Sequence, residues 1–204
     1  MAKPLIPVDV IYERALELLD AGGPEALQAR RLAADLRIST RTLYQQVGNQ
    51  DQLIRALVAR HFSRLRLEFR EYDDWQTTAF HWCTTFHDAL RNHPHLTELM
   101  TIEDRRSVED YVNDLVKAAL HEGMPRQVAI EACRSLVNVT ISHTIVEVRA
   151  LREPEHSAKT AQETAKIEKN FPMTISWILA GIRAELASGS TKPPTRPRRQ
   201  PAAT

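Results

Sequence analysis

Eight side chains between positions 30 and 45 have the types needed to read double-stranded DNA: Arg30, Arg37, Ser39, Thr40, Arg41, Thr42, Tyr44 and Gln45. A guanidinium can bond both acceptors of a guanine edge, and an amide can do the same for adenine. Arg41 and Gln45 are therefore the base-reading candidates. Thr40 and Thr42 suit a thymine methyl or a phosphate, and Arg30 and Arg37 suit the phosphate backbone. At about 100° per residue, Arg41 and Gln45 fall opposite Leu43, with Thr40 and Tyr44 flanking them.

These side chains are useful only if two helices hold them. Ala26, Leu27, Leu32, Ala33 and Leu36 recur at helical spacing, which predicts a first helix with one apolar side. Ser39 then stands at the N-cap of a second, where its hydroxyl oxygen accepts from an orphan backbone N–H. Leu43 and Val47 share a face with Ile38 just ahead of them. The pattern is that of a helix-turn-helix whose second helix presents polar groups to a major groove. The same periodicity also describes a compact helical corner whose outer face is merely solvated.

The segment from Val8 to about Phe62 resembles the N-terminal domain of the TetR family of bacterial transcriptional regulators. The resemblance is carried by IYERALELLDAGG and LAADLRISTRTLYQQVGNQDQLIRAL, in particular by the spacing of Ser39, Thr42-Leu43-Tyr44 and Leu53. Val47 with Asn49 is similar to the tetracycline-repressor branch. The resemblance implies a homodimeric, ligand-responsive DNA-binding regulator, commonly a repressor, and implies a phosphate contact for Tyr44. Three residues depart from the family pattern. Arg37 stands where Gly is usual in the turn, and a left-handed backbone there costs a residue with a Cβ on the order of 1 kcal/mol. Arg41 replaces a small residue, and Gln50 replaces a Lys that would reach a phosphate. The DNA sequence read should be unusual.

Composition sets bounds without deciding the matter. The chain of 204 residues carries 27 Lys and Arg against 26 Asp and Glu, so no global basic field attracts nucleic acid. Lys192, Arg196, Arg198 and Arg199 near the C-terminus turn an otherwise slightly acidic chain slightly basic. DNA binding must rest on the local patch Arg30, Arg31, Arg37 and Arg41. Two cysteines, Cys83 and Cys133, have neither metal-ligand nor disulfide-framework spacing. With no signal-peptide pattern and no spanning apolar run, a cytoplasmic protein without membrane contact is expected.

No strand pattern survives anywhere, so the predicted fold is all-α. Residues 1–48 are read as the DNA-binding domain, and 49–188 as a helical effector-binding and dimerisation domain. A long linking helix, from about Gln50 to Arg70, would join them. Residues 152–171 are polar enough to predict a loop or a poorly anchored helix, with the last helix starting near Met173. The tail 189–204, rich in Pro, Ser/Thr and Arg, is expected to be disordered.

The stretch from Val128 to Val148 and the last helix are apolar around more than one side. They are expected to pair with their copies through Val137, Ile141, Ile145, Trp177, Ile178, Gly181 and Ile182, forming a four-helix dimer interface. A fully buried core helix would read the same way. The aromatic helix beginning near Trp75 suits a small-molecule cavity. Its expected lining is Trp82, Phe86, His87, Met100, Tyr111, Asn138 and His143.

Enzymatic chemistry has thin support. Cys83 and His87 lie four apart on one helical face but lack an evident orienting third group. His81, His87, His93 and His95 have no zinc spacing. Neither a cofactor nor a metal is expected. The competing function is an all-α small-molecule carrier or interaction module without sequence-specific DNA binding.

Overall fold

The computed structural model describes residues 6–64, 69–101, 109–152 and 158–188, and every regular element among them is helical. In chain order these are α1 (Val8–Gly22), a 3-10 turn (Pro24–Ala26), α2 (Ala29–Asp35), α3 (Thr40–Val47) and α4 (Gln50–Arg64). They are followed by α5 (Trp75–Arg91), α6 (Pro94–Glu98), α7 (Glu109–His121), α8 (Arg126–Arg152) and α9 (Ala158–Ser188).

The head, α1 to α3 with the start of α4, closes over one small core. Ile11, Ala15, Leu18 and Leu19 of α1 meet Leu32 and Ala33 of α2, Leu43 and Val47 of α3, and Leu53 and Leu57 of α4. Arg14 grips one oxygen of Asp35 through Nη2 at 2.6 Å and Nε at 3.0 Å, tying α1 to α2 on the outside. The α2–α3 corner is a Schellman turn: the Ile38 N–H donates to Ala33 O at 2.9 Å and the Arg37 N–H to Ala34 O at 3.0 Å. Arg37 occupies its left-handed position at φ 55°. The equivalent turn after α7 puts Gly123 there, at φ 82°.

Asn49 begins α4 with a reciprocal cap. Its Oδ1 accepts from the Gln52 N–H at 2.8 Å, and Gln52 Oε1 accepts from the Asn49 N–H at 3.0 Å. Gln50 Nε2 donates to Leu27 O at 2.6 Å, so the residue that departs from a family Lys is turned inward to hold the head together.

In the body, α8 runs through the middle and packs against α5, α6, α7 and α9. Asp74 caps α5 by accepting from the Thr77 N–H at 2.7 Å. Trp75 Nε1 donates to Leu115 O at 3.2 Å, joining α5 to α7 inside the core. Head and body meet at α6. Arg55 of α4 donates to Leu99 O at 2.6 Å and to Thr101 Oγ1 at 3.1 Å, while Arg149 of α8 reaches Glu98 O at 3.4 Å.

One expectation about an element reaches beyond the described residues, and another needs correction. The linking helix is described only to Arg64, and residues 65–68 lie outside the described part. Of the two readings of the polar stretch, loop or helix, the residues from Ala158 take the helix: they are the first half of α9, which continues through Pro172, so the last helix starts at Ala158 rather than near Met173. Its Ala, Lys, Gln and Glu residues are strong helix formers, so lacking large apolar anchors did not mean lacking helix propensity. The tail 189–204 is outside the described residues.

Candidate nucleic-acid interface and effector site

The outer face of α3 is built as its sequence requires. Ser39 Oγ accepts from the Thr42 N–H at 3.0 Å and bonds Thr42 Oγ1 at 2.8 Å. Leu43 and Val47 are buried, which fixes the helix's rotation and leaves Arg41 and Gln45 exposed one turn apart. Thr40, Thr42 and Tyr44 are half-buried at the flanks, and Arg30 and Arg37 are exposed on and after α2. Ser39 and Thr42 are thus committed to each other as a cap, leaving Arg41 and Gln45 as the outward groups of the helix.

Arg37 allows a direct check. Arg37→Gly should stabilise the head by up to about 1 kcal/mol by relieving the left-handed backbone, less whatever the Arg37 side chain contributes. If Arg37 also neutralises a phosphate, the log–log salt slope of DNA binding should flatten by about 1. Chemical denaturation and a salt titration separate the two effects.

The body holds a buried polar seam where the sequence predicted a ligand cavity. On α8, Thr140, Thr144 and Glu147 are each 0 % exposed. The two threonine hydroxyls donate back to Leu136 O at 2.8 Å and Thr140 O at 2.7 Å. Glu147 Oε2 pairs with His87 Nε2 at 2.6 Å, and Arg91 Nε approaches Oε1 at 3.1 Å. Burial pushes the Glu147 carboxyl up, but the bond to His87 and the positive fields of His87, Arg91 and His143 outweigh it and hold the group below its ordinary range. The Phe171 ring stacks on His87 with centroids 4.1 Å apart and planes 11° apart, and His143 lies 5.1 Å from Phe171.

Of the expected cavity residues, His87 and His143 join this seam. Trp82 and Phe86 pack on each other at 5.2 Å as core aromatics, and Met100 is buried. Asn138 is half-buried on α8, and the Tyr111 side chain lies outside the described part. The two concave regions described lie elsewhere. One, of about 250 Å³, sits between α1 and α4 beside His61 and His93. The other is a groove of about 560 Å³ between α5 and α9, around Phe80, Leu179 and Arg183. Beside the first, burial pushes His61 down to about 4, with His93 adding to the shift and Asp20 opposing it, so this imidazole is neutral near pH 7.

Cys83 cannot serve as a nucleophile here, because burial raises its thiol to about 12. Among the described residues no group of three or more His, Cys, Asp or Glu is placed to hold a metal ion, and no helix is long and apolar enough to cross a membrane.

The expected interface residues divide. Trp177 is 63 % exposed, Gly181 is exposed, and Ile145, Ile178 and Ile182 are half-buried. Val137 and Ile141 are instead buried in the chain's own core, so they are corrected from interface to core positions. On these two helices the exposed large apolar side chains are Val146 and Leu151 on α8, and Met173 and Trp177 on α9.

No family model matches the chain. A curated HTH-type transcriptional regulator of Saccharopolyspora erythraea is 29% identical over 92 residues, 45% of this chain; the chain's match spans 39% of that relative's length. Apo ActR of Streptomyces coelicolor, a TetR family protein, superposes with a TM-score of 0.69 at 19% identity, over 93% of this chain and 100% of ActR. BioQ, solved with its double-stranded DNA operator, gives 0.66 at 20% identity, over 88% and 99%. A possible TetR family transcriptional regulator from Streptomyces coelicolor A3(2) gives 0.69 at 20% identity, over 87% and 99%.

The chain has the TetR-family fold.

Within this TetR fold, Glu147, Arg91 and Phe171 were not singled out from the sequence. One signal was present: Glu147 is a lone carboxylate inside the apolar run Ile145-Val146-Glu147-Val148. A charge at that place in a largely buried helix marks either a solvated face or a paired buried site. Arg91 and Phe171 carried no local signal, because both belong to the seam only through tertiary packing.

Proposed function

We propose that this chain is a DNA-binding transcriptional regulator that acts as a homodimer on an inverted-repeat operator. The proposal extends to repression of its target genes and release by a small-molecule effector. The observation that carries it is α3: a helix capped by Ser39, pinned by Leu43 and Val47, and presenting Arg41 and Gln45 outward. The fold shared with BioQ, which was solved on its operator, supports the same reading, as does ActR solved in complex with actinorhodin. Residues 1–48 would form the DNA-binding head and 49–188 the effector-binding and dimerising body. The exposed stripe of Val146, Trp177 and Gly181 would pair with its copy and set two recognition helices about 34 Å apart.

Selection from randomised duplex DNA at near-physiological salt tests this. An enriched inverted repeat is the expected result. A folded protein that enriches nothing would favour the ligand-carrier reading. With the operator in hand, Arg41→Ala should cost about 1–3 kcal/mol and relax preference at one base position per half-site. Uniform weakening on every sequence would demote Arg41 to a phosphate contact.

A further inference from the structure

Glu147 has no exposed area, and a carboxylate removed from water is costly unless its pairing is complete. Here it is not complete. His87 bonds Oε2, whereas Oε1 has Arg91 Nε at 3.1 Å but accepts no hydrogen bond.

The flat side of His87 is covered by Phe171, itself 1% exposed. Before Phe171 on α9, the described side chains Gln162, Lys166, Lys169 and Asn170 are all exposed. After it comes Pro172, inside the helix, which lacks an N–H and crowds the carbonyl one turn back. The ring that closes the seam therefore hangs where the α9 ladder is interrupted, directly after the exposed Lys169 and Asn170.

We propose that Phe171 occupies the place of a planar aromatic ligand, which enters by displacing it from His87 and donates a hydroxyl or amine hydrogen to Glu147 Oε1. The inference rests on the effector-responsive reading above and gives that effector a chemical class. A planar ring takes over the stack on His87 that Phe171 now makes. The donor completes the pairing of a buried carboxylate, and a site built to bond a donor rejects the same ring without one. Arg91 and His87 stay in place to keep Glu147 ionised. Because Phe171 must leave first, affinity is reduced by the fraction of molecules in which it is in place.

Binding of 2-naphthol to the full chain, compared with naphthalene as the ring without a donor, tests the idea by equilibrium dialysis. Phe171→Ala should bind 2-naphthol at least tenfold more tightly than the parent. Adding Glu147→Gln should remove at least fivefold of that gain and leave naphthalene unchanged. Equal gains for both probes would mean a plain apolar hole and overturn the proposal. So would no gain in Phe171→Ala, or indifference to Glu147→Gln. If circular dichroism shows Phe171→Ala to be unfolded, Phe171→Leu clears the stack at smaller loss of volume and carries the same comparison. No DNA is present, so failure here leaves the operator reading to stand or fall on the selection experiment.

Discussion

His87→Leu should lower the stability of the folded chain by about 3–5 kcal/mol, nearer the smaller figure, seen as a reduced denaturation midpoint with an unchanged slope. The cause is electrostatic rather than steric. Leucine fills much of the imidazole's volume, but it strands Glu147, 0 % exposed, without its hydrogen-bond partner and with only Arg91 and His143 as positive neighbours. The double variant His87→Leu, Glu147→Leu should recover most of the loss, because well-packed apolar residues commonly match or exceed a buried ion pair. Acid gives a second readout. The native Glu147 carboxyl titrates below its ordinary value of 4.5, since His87, Arg91 and His143 outweigh the upward push of burial. The unfolded chain therefore takes up this proton first. The stabilisation is complete above pH 4.5 and is lost as pH falls through the native value. The double leucine variant should lack that part of the acid sensitivity.

Gly181→Leu should have opposite effects on the single chain and on its assembly. A Cβ built at Gly181 meets nothing within 4 Å, so leucine fits freely on the isolated α9. Replacing an exposed mid-helix glycine should even stabilise that helix by about 0.5–1 kcal/mol. If α8 and α9 pack against their copies through Trp177 and Gly181, the new side chain holds the two backbones apart. The variant should then sediment as a monomer and lose operator affinity by on the order of 10²-fold, since each head must bind alone. A variant that remains dimeric with unchanged DNA binding would put the interface elsewhere.

The features legible in the sequence were those that act within a turn or two. Ser39 starts α3 through a bond to the near neighbour Thr42, so residue type and spacing suffice to place it. At Arg37 the sequence left the turn either strained in a left-handed backbone or differently shaped, and the φ of 55° shows the first. Periodicity could not settle which side of α8 faces inward. Apolar residues surround much of that helix, so Val137 and Ile141 looked like interface positions until packing within the chain buried them. The seam was half legible. His87 and His143 stood out as polar groups on aromatic or apolar helices, but the partners of His87 lie 60 residues away for Glu147 and further for Phe171. Distances of that kind are set by tertiary contacts alone.

The short helix α6 ends with its carbonyls shared: Arg55 of the linking helix takes Leu99 O, and Arg149 of the central body helix reaches Glu98 O. Arg149 follows Glu147 by two residues on the same rigid helix. These bonds give a displacement at the seam, should a ligand cause one, a connected route to the end of α6 and to the helix that bears the head. Such a linkage has no preferred direction. If a ligand at Glu147 weakens operator binding by some factor through this route, the operator must weaken ligand binding by the same factor. Saturating DNA would then raise the ligand's apparent Kd in any titration to a plateau set by that factor, though the two never touch.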